Sequence, residues 1–444
     1  MKILIAGAGE VGTHLAKLLT REEQDITLLD VDPSKLETIG ANYNLMTWVG
    51  SALSFDTLKD AGIANTDLFI AVLPTETDNV LACQIASSLG AKKTVARIDN
   101  YEFMAPGNRD FFTRSGVKTL IYPEYLAALE VITALERPWV RHWFEIHDGQ
   151  LILVGVKLRD NAPIVGLQIK EFAMAQRNFH VSAIKRRHET IIPRGDDRIL
   201  DGDILYFTTT RDHVDELIDL CGKRNYDVRN VLVMGGSRVA IRLANLVGDR
   251  YRIKIIESNR ERCELLAERC PKARIVYGDA RDIETLRDED ISDMEAFVAL
   301  SDSSETNILA CLTAKEFGVP KTVAEVENIQ FIAEAENLNI STIINKKLLS
   351  SSAIFQMLLD VDSTTSKCLA MTDAEVAEIE VKPRSKVTRA QVKDLKLSRD
   401  MTIAGLIRNG RGQLVTGMTT IEAGDSVVVF CLSGALHKVE RLFN

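Results

Sequence analysis

"KILIAGAGEVG", residues 2–12, starts as a short apolar run and breaks into three glycines at Gly7, Gly9 and Gly12. The run Lys2–Ala6 reads as a buried strand, and Val11–Leu19 reads as an amphipathic helix. Between a strand and a helix, each glycine has a separate use. The first permits a tight turn, the second lets the backbone approach a pyrophosphate, and the third lets helix and strand pack closely, with the helix N-terminus facing the phosphates. The spacing alone is a weak signal, but its context strengthens it. The next strand, "DITLLD", ends in Asp30, eighteen residues after Gly12. A carboxylate there accepts hydrogen bonds from an adenosine ribose and repels a 2′-phosphate, which favours NAD or NADH over NADP. The candidate first site is Gly7, Ala8, Gly9, Glu10, Val11, Gly12 and Asp30. Leu73 and Pro74 are expected at the carboxyl edge of the fourth strand, where parallel sheets bind ligands, and Arg97 at the end of the next.

The same stretch returns further along. "FIAVLPTETDNVLACQIA" from Phe69 matches "FVALSDSSETNILACLTA" from Phe297, an offset of 228. That offset also pairs "GAGEVG" at Gly7 with "GGSRVA" at Gly235, Gly50 with Gly278, and "KTVARIDN" at Lys93 with "KTVAEVEN" at Lys321. Four anchors on one offset identify an internal duplication, with a period much longer than that of solenoid repeats. A weaker echo links "IIPRGDDRILDGDILYF" (191–207) to "LVTGMTTIEAGDSVVVF" (414–430), each placing a Gly-Asp turn before a β-branched run. The expected architecture is α/β: two tandem units, each a Rossmann-like parallel-sheet lobe followed by a smaller strand-rich lobe. The lobes are expected at 1–120, 140–224, 229–345 and 365–444. "YPEYLAALEVITALERP" and "NKKLLSSSAIFQMLLD" read as linker helices.

The second candidate site departs from the first. Gly235 and Gly236 lead into Ser237, Arg238 and Val239, with Ser237 in place of Gly9 and Ala240 in place of Gly12. Glu257 stands for Asp30 at an offset of 227, so the ribose acid survives. Glu10 repels additional phosphate charge and suits a dinucleotide, whereas Arg238 attracts it. The first half is therefore expected to take NAD or NADH. For the second half, ADP or ATP is expected, with NAD(H) the alternative.

The 444 residues suggest about three domains. A hydrophobic fraction of 46% and a charged fraction of 26% are ordinary for a folded soluble protein. A net charge of −9 argues against nucleic acid as a partner. No secretory leader is expected, and no apolar run approaches the roughly 18 residues of a membrane span. Seven scattered cysteines without a C-x-x-C read as reduced cytoplasmic thiols. Cys83 and Cys311, at matching helix positions, read as small core residues.

A dehydrogenase needs a general acid or base presented to the nicotinamide, and the intervening lobes show no such group. No P-loop, H-E-x-x-H or G-x-S-x-G motif is present. "RHWFEIHDG" (141–149) gathers His142, Glu145, His147 and Asp148, but on a strand the two histidines point to opposite faces, so no metal site is expected. "KRRHE" (185–189) reads as a solvated hairpin tip.

"GAGEVG", Asp30, "TETDNVLACQIA", "KTVARI" and the strand-rich lobe with "DGD" together resemble an RCK unit, the regulator of potassium conductance. Two such units in one chain, without a membrane segment, resemble the peripheral NAD-binding subunits of Trk potassium-uptake systems. The resemblance implies a non-enzymatic protein that forms a ring beneath a Trk-type potassium-translocating membrane subunit on the inner face of the cell membrane. It implies gating by nucleotide-dependent conformational change, and a homo-oligomer, expected as a tetramer with eight RCK units. It places the first nucleotide site on Gly7 through Val11, Asp30, Leu73–Pro74 and Arg97, and the second on Gly235 through Val239 and Glu257. Relatives carry small polar residues at the positions of Leu73 and Pro74, which leaves backbone contacts there. The alternatives are an RCK-type regulator of another ion transporter or antiporter, and an NAD-dependent oxidoreductase.

Overall fold

The computed structural model describes residues 1–21, 24–187, 189–338, 340–359, 374–432, 435, 439 and 442–443. His188 of the basic hairpin tip and the start of the last expected lobe, 365–373, lie outside the described residues.

Two six-stranded parallel sheets share one topology, with chain order 3-2-1-4-5-6 across the sheet. The first contains, in spatial order, Met46–Val49, Asp25–Asp30, Lys2–Ala6, Leu68–Ala71, Lys93–Arg97 and Thr119–Ile121. The second contains Arg274–Tyr277, Arg252–Glu257, Asn230–Met234, Ala296–Ala299, Lys321–Glu325 and Thr342–Ile344. Their central strands read as unbroken apolar runs, as expected when helices cover both faces of a parallel sheet. Leu4, Ile5, Phe69 and Ile70 are almost fully buried, as are Leu232, Val233, Phe297 and Val298 in the copy. In each sheet the chain reverses its direction of travel between the first and fourth strands, and the crevice beyond their carboxyl ends is where such sheets bind ligands.

Two antiparallel sheets make the strand-rich lobes. One orders Glu189–Ile191, His180–Arg186, Ile204–Thr209, Leu151–Lys157 and His142–Ile146; the other orders Ala374–Glu380, Ser426–Leu432, Met401–Arg408 and Arg411–Leu414. The repeated Gly-Asp turn is explained by a fork. Arg186 grips the buried Asp203 with Nε and Nη2, both at 2.8 Å, and Arg408 grips the buried Asp425 at 2.8 and 2.7 Å. Each aspartate also accepts a turn amide, from Leu200 or Glu422, so the buried charge is both paired and hydrogen-bonded. The two sheets share an apolar core that includes Leu151, Tyr206, Val376 and Phe430.

The chain divides into two compact units, and the division does not follow chain order. One unit joins Met1–Ala127 to Lys346–Leu358; the other joins Ala128–Asn345 to Leu359–Asn444. Within the first unit, a helix from the second half of the sequence thus returns to the first parallel lobe and buries Ser350, Ser351 and Ile354.

Candidate functional site

The first glycine turn separates what the fold needs from what a ligand would need. Gly7 has φ +109°, and a Cβ there would stand 2.8 Å from the Val72 carbonyl oxygen. A Cβ on Gly12 would lie 1.9 Å from the Gly7 carbonyl oxygen. Both glycines are imposed by the protein itself. Gly9 differs, because a Cβ there would meet nothing within 4 Å. Its missing side chain leaves open space in front of the helix Glu10–Arg21, where the partial positive charge of the N-terminus favours an anion.

Asp30 is buried at the end of its strand and holds this turn in place. Its Oδ2 accepts from the Ala8 amide at 2.7 Å and its Oδ1 from the Asp32 amide at 2.9 Å. Gly7 donates its own amide to the Leu29 carbonyl. The acid read from the sequence as a ribose ligand is thus the clamp of the glycine turn. Glu10, the first residue of the helix, pairs with Lys347 of the returning helix in the same unit. Leu73 and Pro74 fall just beyond the strand Leu68–Ala71 rather than at its end, and Pro74 is exposed. Arg97 ends its strand as expected. Its Nη2 lies 3.3 Å from Asp99, while its buried Nε has no hydrogen-bond partner among the described residues. A buried donor without a partner is costly, and a phosphate or ribose oxygen would satisfy it. The open turn, the helix N-terminus and this donor fit a dinucleotide.

The second turn reaches the same closure with different atoms. Gly235 again takes positive φ, +93°. Glu257 Oε2 accepts from the Gly236 amide at 2.7 Å and Oε1 from the Asn259 amide at 2.8 Å, reproducing both bonds of Asp30. Glutamate is one methylene longer than aspartate, and Gly236 is one methyl smaller than Ala8. The two changes compensate, since a Cβ on Gly236 would lie 3.0 Å from Glu257 Oε2 and 2.4 Å from Leu266 Cδ1. Ser237, in place of the open glycine, caps the helix Arg238–Val247 by accepting from the Ala240 amide at 3.3 Å. The cleft beside this turn, about 300 Å³, is lined by Gly235, Gly236, Ser237 and Glu257. Arg238 is exposed and not part of that lining, and Val239 is fully buried. The cleft's arginines are instead Arg281, forked onto Asp279, and Arg262, 3.7 Å from Asp302.

One pair of residues escaped sequence reasoning. Asn79 and Asn307 are each 1% exposed, at the same place in the doubled helix motif. Asn79 accepts from the Leu73 amide at 2.7 Å and donates to the carbonyls of Leu73 and Arg97 at 3.2 and 2.9 Å. Asn307 does the same with Ser301 and Glu325. Each asparagine ties together the two loops that form the carboxyl rim of its sheet. The signal was an asparagine kept at the same place in both copies of the helix, but its partners are backbone atoms that no motif reveals. Cys83 and Cys311 are fully buried and donate to the Val95 and Val323 carbonyls; burial pushes the Cys311 thiol up to about 12.

The histidine-rich stretch is dispersed over separate partners. His142 Nδ1 lies 3.1 Å from the Tyr206 hydroxyl, and burial together with Arg141, Lys185 and Lys321 lowers its pKa to about 3. His147 turns away at φ +50°, 2.7 Å from Glu378, and Glu145 pairs with Arg211 at 2.9 Å. Among the described residues no cluster of His, Cys, Asp or Glu has a metal-binding arrangement, and no helix is long and apolar enough to cross a membrane.

Comparison with known proteins places these features. The TrkA-N domain model matches residues 3–123 and again 231–346, and the TrkA-C domain model matches 153–222 and 376–444. The Trk system potassium uptake protein TrkA of Azorhizobium caulinodans is 28% identical over 451 aligned residues, covering 100% of this chain and 98% of that one. Among solved structures, the GsuK RCK domain aligns with TM-score 0.61 at 15% identity, covering 100% of this chain and 94% of that one. The GsuK channel bound to NAD aligns with TM-score 0.60 at 16% identity over 100% of this chain and 78% of its own. These two structures share the fold. Both domain models, each matched twice, make the chain a member of the TrkA family, built of two tandem TrkA-N/TrkA-C pairs.

Proposed function

We propose that the chain is a nucleotide-sensing regulatory subunit that gates a Trk-type potassium-translocating membrane protein from its inner face. The observation that carries this reading is the first cleft. Its turn is clamped by Asp30, Gly9 is kept bare without any steric need from the protein, and Arg97 keeps a buried donor unspent. NAD or NADH is the proposed ligand there, and an adenine nucleotide or NAD(H) the ligand of the second cleft. The GsuK channel, which shares the fold, is described as bound to NAD. A ligand acts on the gate only through its different affinity for two conformations, and a tenfold difference supplies about 1.4 kcal/mol per site.

A homo-oligomer, with a tetramer as the proposed form, gives that energy several sites to sum over. Two exposed leucines at matching positions, Leu81 and Leu309, 45% and 64% exposed, offer a repeated apolar contact for assembly. The returning helix offers less, because Ser350, Ser351 and Ile354 are already buried within one chain.

The test is reconstitution. The membrane subunit in potassium-loaded vesicles, with this chain added, should change its flux on addition of NADH, ADP or ATP. Asp30→Ala should weaken NADH binding by about 1–3 kcal/mol, the scale of hydrogen bonds to a charged group. Nucleotide-independent flux, or unchanged affinity in the mutant, contradicts the proposal.

A further inference from the structure

An ion pair joins two helix N-termini beside the first glycine turn, and one of its members stands against its own helix's preference. The helix Glu10–Arg21 opens with Glu10, an acid where the macrodipole favours one. The returning helix Lys346–Leu359 opens with two lysines and has no acid in its first turn, where the macrodipole disfavours positive charge. Glu10 and Lys347, the second of those lysines, are paired within one unit.

Stability accounts for little of this pairing. The Glu10 side chain is 68% exposed, and an ion pair with so exposed a partner contributes little. The Lys347 side chain is only 21% exposed, and burial lowers its pKa. The equivalent helix of the first half, Pro123–Glu136, carries the sign that a helix N-terminus favours. Its second residue, three beyond the strand Thr119–Ile121, is Glu124; Lys347 is also a second helix residue, three beyond Thr342–Ile344. Glu10 is matched in the repeat by Arg238. Both positions therefore change sign together across the duplication.

A lysine at this place has a use when phosphates arrive. The open space at Gly9 precedes Glu10 directly, at the same helix end. A phosphate on the amides of that turn comes beside Glu10 and competes with its carboxylate for the Lys347 ammonium. The exposed carboxylate can swing into solvent, whereas the mostly buried ammonium stays. We infer, on the reading of this cleft as a nucleotide site, that Lys347 is its phosphate-reading residue. The helix supplied by the second half brings the positive charge that residues 7–12 lack, and Glu10 holds that charge until phosphate displaces its carboxylate. Nucleotide arrival is thereby felt at the first turn of the helix Lys346–Leu359.

The experiment uses the full chain, with NADH titrated by its fluorescence and ADP and ATP by displacement of NADH, so that all are read at one site. Lys347→Gln should lower ATP affinity at least ~10-fold, the scale of one charge-assisted bond. NADH should lose less, because it carries fewer phosphate charges. Glu10→Gln should act in the opposite direction and raise affinity for ATP more than for NADH. Lys347→Arg should keep the wild-type ranking, and added salt should weaken ATP binding more steeply in wild type than in Lys347→Gln. A pair that only pins the helix gives another pattern, in which both neutral variants melt lower and shift every ligand alike in the same direction. That pattern overturns the inference, as does unchanged ATP affinity in Lys347→Gln. Should that variant fail to fold, Glu10→Gln, at an exposed side chain, decides by the direction of its effect. NADH binding that depends on Asp30 and ignores Lys347 and Glu10 overturns the inference alone. A wild-type chain that binds neither NADH nor ATP overturns the nucleotide reading and the inference with it.

Discussion

The two glycine turns close in the same way and face their clefts differently. Closure rests on a carboxylate that takes two backbone amides, from Ala8 and Asp32 in one lobe and Gly236 and Asn259 in the other. The surfaces toward a ligand have moved apart. Open Gly9 becomes the cap Ser237, Gly12 becomes Ala240, and Arg97 becomes Glu325 at the rim. A duplicated fold thus retains its scaffold bonds while the residues around its two turns diverge, and the acid that looks like a ligand belongs to the scaffold first.

The largest effect that would break this comparison is expected at Gly12. Valine there meets the Gly7 carbonyl at a distance no rotamer relieves, and about 3 kcal/mol of stability should be lost on overpacking, read by urea denaturation together with loss of NADH binding. Ala240→Gly, the mirror change, should cost only about 1 kcal/mol of helix propensity.

A sharper probe exchanges the two closures. Asp30→Glu alone should cost about 1–2 kcal/mol through crowding against the Ala8 methyl. Adding Ala8→Gly recreates the second turn inside the first and should recover most of that loss, giving a coupling of about 1 kcal/mol in a double-mutant cycle. Additive losses would show that the methyl and the methylene do not compensate.

The next test is one of pH. Lys93 is exposed, whereas its counterpart Lys321 is fully buried, donating to the carbonyls of Pro138 and Val140 at 3.2 and 3.1 Å. Burial, with Arg141 and Lys315 nearby, lowers Lys321 to about 7, partly offset by Glu130. The unfolded chain then holds more protons than the folded one between about pH 7 and the ordinary lysine value of ~10.4, so this lysine makes stability rise with pH across that window. Lys321→Met should remove that part of the rise in thermal melts from pH 7 to 10, and Lys93→Met should leave it intact.

Ser237→Gly should have the smallest effect on stability, a few tenths of a kcal/mol, because glycine is itself a tolerated cap. It restores the bare position of the first turn, and tighter nucleotide binding in the second cleft by calorimetry would show that the serine restricts it.

How much of this was legible beforehand depends on where a contact's partners lie. Gly7 and Gly12 were readable because steric demand by the chain's own backbone leaves only one residue type. The parallel lobes were readable because apolar runs and glycine turns recur at one offset. The scaffold duty of Asp30 was not, since a carboxylate bonded to an amide and one awaiting a ribose look identical in a string. Asn79 was visible as a repeated letter without a role. The Arg186–Asp203 fork joins residues from neighbouring strands, so it leaves no local pattern.

The return of Lys346–Leu358 to the first lobe sets an order in time. That lobe's own chain ends at residue 127, and the helix that completes it begins 219 positions later. At ~5–20 residues per second of synthesis, on the order of 10–40 s pass before the helix can arrive. Until then the surface awaiting it stays open on the nascent chain, and the first lobe is the earliest part to be made and among the last to be finished. The order of translation thus makes completion of the first lobe wait for residue 358, and a product interrupted before residue 346 lacks the helix that belongs to that lobe.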